Sequence, residues 1–345
     1  MPSRVFVLGG ALVDLVARAG IPLVAGSSTP GHVHTGVGGV AANIARNLGR
    51  LGNHVELIAA LGADADGELI RAACAEAGVG LTYAVASPHP TGRYVAIVGP
   101  DGELACAVND MRATEALTPA DLEPALAQLR SGDLLVADAN LSESALAACA
   151  RGAARTGVWV IADPVSVAKA PRLRAMDPAP WLITPNRDEL AALTGAPVTP
   201  AAVPAAARTL QRQGFGDIWC RLGAGGSLLV PAGNSPTNGG TGRADDAELL
   251  SCPARVVPVV DVTGAGDAAS AAFIHATLAG AAPDHALDLA HAAAALTVGS
   301  HHSVRPDLAS ALRASGAAGL ARPVAGTPVA GAPHTDPEPT TKESQ

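Results

Sequence analysis

The sequence predicts an α/β protein in which a mostly parallel sheet carries helices on both faces. Three observations lead there. Short runs rich in Val, Ile and Leu, at 4–8, 54–61, 133–138, 158–164 and 181–184, alternate with stretches of helical periodicity. Two helical stretches are entered through glycine-rich turns, at 36–39 and 264–266. Polar residues, Asp138 and Asn140 after one run and Asp163 in another, fall where strands of such a sheet end, and ligands gather at those carboxyl ends. With 345 residues and 48% hydrophobic content, one large or two ordinary domains have ample core.

In order, RVFVL at 4–8 reads as the first buried strand, and Gly9-Gly10 permits a bend before ALVDLV. Asp14 places a charge inside that second apolar run, either as an edge position facing water or as a hydroxyl acceptor in a pocket. Residues 19–36 hold Gly, Pro, Ser, Thr and two His and suit an irregular or lid-like segment. In GVGGVAANIARNLGRLG, Ile44, Leu48 and Leu51 form a helical stripe with Gly52 at its end, while Gly36, Gly38 and Gly39 precede it. Asn43 then lies in the first turns. A strand at 54–61 and a helix at about 67–77 follow. Residues 92–108 make two strand-like arms around Pro100-Asp101-Gly102.

An Ala-rich helix is expected over 142–156. WLITPNRDEL runs from a strand into an acidic helix start, where Asn186 and Glu189 serve either as ordinary helix-terminal groups or as organisers of a magnesium ion and its waters. DIWCRLGAGGSLLV reads as strand, glycine turn, strand. The almost apolar-free segment 232–248 is expected to be a flexible surface insertion, and 321–345 a disordered tail. Helical patterns return at about 284–298 and 306–315.

The stretch 255–280, RVVPVVDVTGAGDAASAAFIHATLAG, is expected to form a buried strand, a tight turn at Gly264-Ala265-Gly266 and a helix. A helix start leaves N–H groups unpaired and carries the positive end of the dipole, so glycines there admit an anion to bare backbone. Asp267, in the first turn, places a carboxylate beside that cradle. Such a pairing suits phosphoryl transfer to an alcohol: the carboxylate takes the hydroxyl proton while the amides hold charge developing on the phosphoryl oxygens.

Composition narrows the field. A net charge of −8 argues against a duplex-wide phosphate-binding surface, so nucleic acid is not an expected partner. No stretch has membrane-span character, and Met1-Pro2-Ser3-Arg4 leads into a strand, not a secretory signal; a cytoplasmic, membrane-free protein is expected. Five scattered cysteines without a CxxC pair suit a reducing compartment. Only two of the 23 basic residues are lysines, and Lys342 lies in the tail, so Lys169 stands alone in the expected folded part. GxxxxGK[ST] is absent, and no GxGxxG follows the first strand, which argues against a P-loop and a nicotinamide site.

Taken together, GGVAANIARNLGRLG and DVTGAGDAASAAF resemble the paired signature motifs of the PfkB/ribokinase family of carbohydrate and nucleoside kinases, in matching order, with similarity over nearly all of residues 4–318. The resemblance implies a ribokinase-like three-layer α/β/α sandwich over residues 1–320. Its small β lid would come from about 12–38 and 92–110. ATP is implied as donor, with Mg²⁺. By match to the family's motifs, Asp267 would be the general base and Gly264, Ala265 and Gly266 the anion hole. Asp14, Gly38, Gly39 and Asn43 would hold substrate hydroxyls. Asn186 and Glu189 would serve the metal and phosphate region, Glu189 reaching Mg²⁺ through water, and Leu222, Gly223, Gly225 and Gly226 would border the nucleotide. Asp261 and Thr263 match positions near a monovalent-cation site in several members, which makes K⁺ a candidate activator; a homodimer is a candidate assembly.

NDMRATEALTP at 109–119, ADANLS at 137–142, DPVSVAKAPRL at 163–173 and LTVGSHHSVRPDLA at 296–309 resemble segments of the family's pseudouridine-phosphorylating branch. The expected reaction is therefore phosphorylation of the primary 5′-hydroxyl of pseudouridine, with Asn140 and Lys169 reading the base edges. The alternatives are another sugar or nucleoside kinase of the family, of ribokinase, fructokinase or adenosine kinase type, and a non-catalytic sugar-binding homologue.

Overall fold

The structure, a computed structural model, describes residues 3–232 and 249–316. The 232–248 insertion, apart from Ala232, and the 321–345 tail lie outside the described residues.

Strand β1 (Arg4–Leu8) shows why the sheet has two covered faces. With side chains alternating, Val5 and Val7 enter one apolar cluster and Phe6 and Leu8 the other, all four fully buried. β2 (Leu12–Ala19) and β3 (Gly31–Gly38) leave the main sheet and pair antiparallel. The segment read as irregular therefore holds a strand, because β2 offers it an unpaired edge. α1 (Val40–Arg50) returns the chain to β4 (His54–Ile58), which pairs parallel with β1, and to the short β5 (Ala60–Leu61).

α2 (Ala65–Glu76) leads into β6 (Val79–Gly80) and β7 (Val85–Ala86). β8 (Gly92–Val98) and β9 (Leu104–Asp110) form the hairpin expected around Pro100-Asp101-Gly102. They complete a separate four-stranded sheet in the order β3-β2-β8-β9. The Asp64 carboxylate anchors this sheet to the body: it accepts from Gly67 N–H at the start of α2 (2.8 Å), and from Thr91 N–H (2.8 Å) and Oγ1 (2.7 Å) just before β8.

The chain continues through α3 (Arg112–Glu115), α4 (Pro119–Leu126), β10 (Leu134–Asp138), α5 (Glu143–Ala154), β11 (Trp159–Asp163), β12 (Leu182–Ile183), α6 (Arg187–Thr194), α7 (Val203–Arg212), β13 (Asp217–Arg221), β14 (Ser227–Val230) and β15 (Leu250–Cys252). It closes with α8 (Ala265–Leu278), α9 (Pro283–Val298) and α10 (Leu308–Ala314). Side-chain caps start several helices where their residues fall: Thr118 for α4, Ser142 for α5 and Asn186 for α6.

The nine-stranded main sheet has the order β15-β14-β13-β12-β11-β10-β1-β4-β6 and is parallel except for β14 and β15. One face is covered by α1, α8, α9 and α10, and the other by α4, α5, α6 and α7. α8 and α9 are built largely from Ala, which lets their backbones pack closely over Trp219, itself stacked on Phe273 at 4.9 Å between ring centroids.

The expected buried strand at 255–260 is not formed. The edge strand β15 ends at Cys252, Pro253 and Pro258 withhold N–H donors from any further ladder, and the run crosses the surface with Val256 fully exposed and Val259 70% exposed. Branched apolar residues favour a strand only where a partner edge and a covered face exist. Among the described residues no helix is long and apolar enough to cross a membrane.

Candidate active site

β10 ends in Asp138, a buried carboxylate on which three parts of the chain meet. Its Oδ2 accepts from Gly10 N–H (3.0 Å), Ala41 N–H (2.9 Å) and Asn140 Nδ2 (3.0 Å), and its Oδ1 from Asn140 N–H (2.9 Å). The bend after β1, the first turn of α1 and the loop after β10 are thereby fixed together. Burial raises its pKa, and the four donors oppose the rise. Asn140 passes the network on, its Oδ1 accepting from Lys169 Nζ at 2.6 Å. Burial lowers the pKa of Lys169, with the charge of Asp138 acting the other way. Arg172 braces the same loop, donating through Nη1 to Ala139 O at 3.1 Å.

α1 and α8 enter this corner through glycines whose conformations are demanded. Gly39, the N-cap of α1, has φ 96°, and a side chain there would overlap the Gly10 carbonyl. Gly264, the N-cap of α8, has φ 77°, and a Cβ would overlap the Ser303 carbonyl. Gly264→Ala is therefore expected to lower stability by about 1–3 kcal/mol in urea denaturation, from the left-handed strain alone. A change within error would mean that the backbone at 264 leaves the left-handed region at little cost.

Asp267 sits in the first turn of α8. Its Oδ2 accepts from Asn43 Nδ2 at 2.8 Å, a contact between residues 224 positions apart in sequence. Burial, then the nearby Asp163 charge, push its pKa up to about 8, against the Asn43 hydrogen bond and Arg221. Beside it, the Gly266 and Asp267 amides donate to no group among the described residues, while Ala265 N–H makes a 3.3 Å turn bond to Val262 O. Of the three amides expected to form the anion hole, Gly264 and Gly266 likewise donate to no group among the described residues, and the Asp267 amide joins them.

Across the sheet, Asp163 closes β11. Its Oδ1 accepts from Val165 N–H (2.8 Å); its Oδ2 accepts from Thr184 Oγ1 (2.8 Å) and pairs with Arg221 Nη2 (3.1 Å) at the end of β13. Arg221 Nη2 also lies 4.0 Å from Glu189. Asn186 and Glu189 form a reciprocal capping box: the Asn186 side chain accepts from the Asp188 and Glu189 amides, and Glu189 Oε2 accepts from Asn186 N–H at 2.8 Å. Glu189 Oε1 has no partner among the described residues, so one oxygen of a buried carboxylate is open, as suits a metal held through water. Gly223 and Gly225 form an exposed turn after Leu222, and Gly226 packs against the backbone at Cys252.

The substrate-side residues lie on the other flank. Asp14, on β2, is half-buried, with its carboxyl crowding Gly38, where any side chain would collide with it; burial pushes its pKa up to about 6. Asp138 and Asn43 link Asn140, Lys169 and α1 to Asp267, whereas Asp261 and Thr263 stand apart. They occupy a partly exposed loop in which Asp261 Oδ1 accepts from Thr263 N–H (2.9 Å) and Oδ2 lies 3.8 Å from Arg18 of β2. Arg221 and Arg172 escaped the reading of the sequence. A charge closing the buried run DIWCR was the available signal for Arg221; nothing local marks Arg172.

Comparison with known proteins adds three findings. The sequence model of the pfkB family carbohydrate kinases matches residues 2–309. The chain is 28% identical over 309 residues to pseudouridine kinase of Escherichia coli strain K12, covering 89% of this chain and 94% of that protein. Among solved structures it resembles a carbohydrate kinase from Agrobacterium tumefaciens (TM-score 0.73, 30% identity, 92% and 97% coverage) and Arabidopsis thaliana ribokinase complexed with ribose and ATP (TM-score 0.76, 25% identity, 91% and 98% coverage).

Proposed function

Because the chain belongs to the pfkB family of carbohydrate kinases, and so is a phosphotransferase with an alcohol group as acceptor, we propose that it moves the terminal phosphate of ATP to the primary 5′-hydroxyl of pseudouridine. The observation that carries the choice of acceptor is the Lys169–Asn140 pair, held on Asp138. It sets an ammonium, a donor that suits a base carbonyl, beside a carboxamide oxygen, an acceptor that suits a base N–H. A free pentose offers only hydroxyls. The similarity to the E. coli pseudouridine kinase supports the same choice.

In this reading Asp14, Gly38 and Gly39 position the ribosyl group, and Asn43 orients the carboxylate of Asp267. Asp267 accepts the 5′-hydroxyl proton as that oxygen attacks the terminal phosphorus. The bond from phosphorus to the bridging oxygen breaks, and ADP leaves with the electron pair. The Gly266 and Asp267 amides face the oxygens on which charge develops. The exposed turn at Leu222, Gly223 and Gly225, closed by Gly226, borders the nucleotide. Glu189 and Asn186 would hold Mg²⁺ through water; the ion, when bound, neutralises phosphate charge.

ADP release with ATP and Mg²⁺ is expected to be faster with pseudouridine than with uridine, ribose, adenosine or fructose; a clear preference for another acceptor rejects pseudouridine and leaves the kinase assignment standing. Lys169→Met is expected to lower kcat/KM for pseudouridine by about 10–100-fold, the value of a hydrogen bond to a charged group, with little change for ribose. Equal losses on both acceptors would remove Lys169 from base recognition.

Asp261 and Thr263 support K⁺ activation, checked by comparing rates in KCl and tetramethylammonium chloride. The lid's exposed apolar residues, Val33, Leu104 and Val108, support pairing of two copies, checked by light scattering.

A further inference from the structure

We infer that Arg221 is the fixed cation of the phosphoryl-transfer centre, its Nη1 donating to the terminal phosphate of the bound nucleotide where that phosphate meets the Gly266 and Asp267 amides. The inference rests on the kinase reading and adds a catalytic residue to it.

The geometry divides the guanidinium into two arms. Nη2 is committed: it pairs with Asp163 at 3.1 Å, and Asp163 is itself locked by Val165 N–H and Thr184 Oγ1. The root of the side chain is held as well, since Arg221 N–H donates to Pro185 O at 2.8 Å at the end of β13. Nη1 has no hydrogen-bond partner among the described residues, and it lies against the cradle: a Cβ built on Gly266 would stand 2.7 Å from it. Glycine at 266 thus leaves room for the guanidinium as well as for a phosphate. The planar fork of Arg, unlike an ammonium, can serve a carboxylate with one nitrogen and a phosphate with the other.

Charge points the same way. Arg221 is only 19% exposed, and Asp163, Glu189 and Asp267 all act on it electrostatically. Three carboxylates around one cation repel an incoming polyphosphate unless a donor faces it. Nη1 is a cationic group beside the open amides, placed to turn that corner from repulsive to receptive. A purely structural Arg would balance Asp163 with no arm left towards the cradle.

The test compares nucleotides that differ by the terminal phosphate. For Arg221→Gln we expect kcat to fall by about 10²–10³, the loss typical of one preorganised donor. Affinity for a non-hydrolysable ATP analogue, measured calorimetrically without acceptor, should fall about tenfold while ADP affinity changes less than about twofold. Arg221→Lys, which keeps the charge without the fork, should fall between. Arg221→Gln combined with Asp163→Asn removes the buried carboxylate left unpaired and keeps the comparison readable if the single variant does not fold. Equal weakening of ADP and the analogue, or unchanged affinity for both with only a drop in thermal stability, overturns the inference. Failure of the wild-type protein to phosphorylate any alcohol would instead sink the kinase reading, and the analogue-against-ADP measurement does not depend on turnover.

Discussion

Asp267→Asn is expected to lower kcat by about two to four orders of magnitude while leaving nucleotide and acceptor affinities near those of the wild type, because the amide keeps the size of the carboxyl and cannot accept a proton. The same residue sets the pH dependence. A base works ionised, so the rate falls as pH drops through its pKa. Burial and the Asp163 charge push that pKa up to about 8, and burial of Asp14 pushes its carboxyl up to about 6. On a logarithmic plot kcat/KM should rise with slope one between about pH 6 and 8, more steeply below 6 where Asp14 also protonates, and level off above 8. Asp267→Asn should abolish the limb near 8 along with most of the rate. Near-normal turnover by this variant, or a wild-type profile flat from pH 6 to 9, would show that another group takes the proton.

Asp138→Ala is expected to destabilise the protein by about 3–5 kcal/mol in urea denaturation, more than the other substitutions considered above. The carboxylate is buried and accepts from Gly10 N–H, Ala41 N–H, and the backbone and side chain of Asn140. Truncation strands those donors away from water, at about 1–3 kcal/mol for each group that stays unsatisfied, and adds a cavity where β1, α1 and β10 meet, while removing a buried carboxylate returns part of that cost. Activity should fall with it, since Asn140 and Lys169 lose their anchor and α1 loses the bond that fixes Asn43 beside Asp267. A loss below about 1 kcal/mol would mean that water or a neighbouring side chain replaces the carboxylate, and that the junction does not depend on it.

Much of this corner was legible before any coordinates. The alternation of apolar runs with helical periods specifies a covered parallel sheet, because a strand buried on both faces has to be apolar at nearly every position. The glycines at 39 and 264 signal backbone that other residues cannot adopt, and both have positive φ at helix N-caps. Asp267 in the turn after such a glycine is a local feature and was read locally. The exposed 255–260 run shows the limit: four valines look alike whether or not an edge awaits them, and Pro258 among them and Pro253 ahead of them deny the ladder.

Two residues mark the other side of the boundary. Asn43, expected to face a substrate hydroxyl, donates to Asp267, and Arg221, which no motif singled out, spans Asp163 and the neighbourhood of Gly266. The chain by itself determined its layers, its two glycine-gated helix starts and the acid placed at one of them, since each depends on residues a few positions apart. Which distant side chains meet there was decided only when packing brought α1, α8 and the strand ends together, for a hydrogen bond spanning 224 residues leaves no trace in local periodicity.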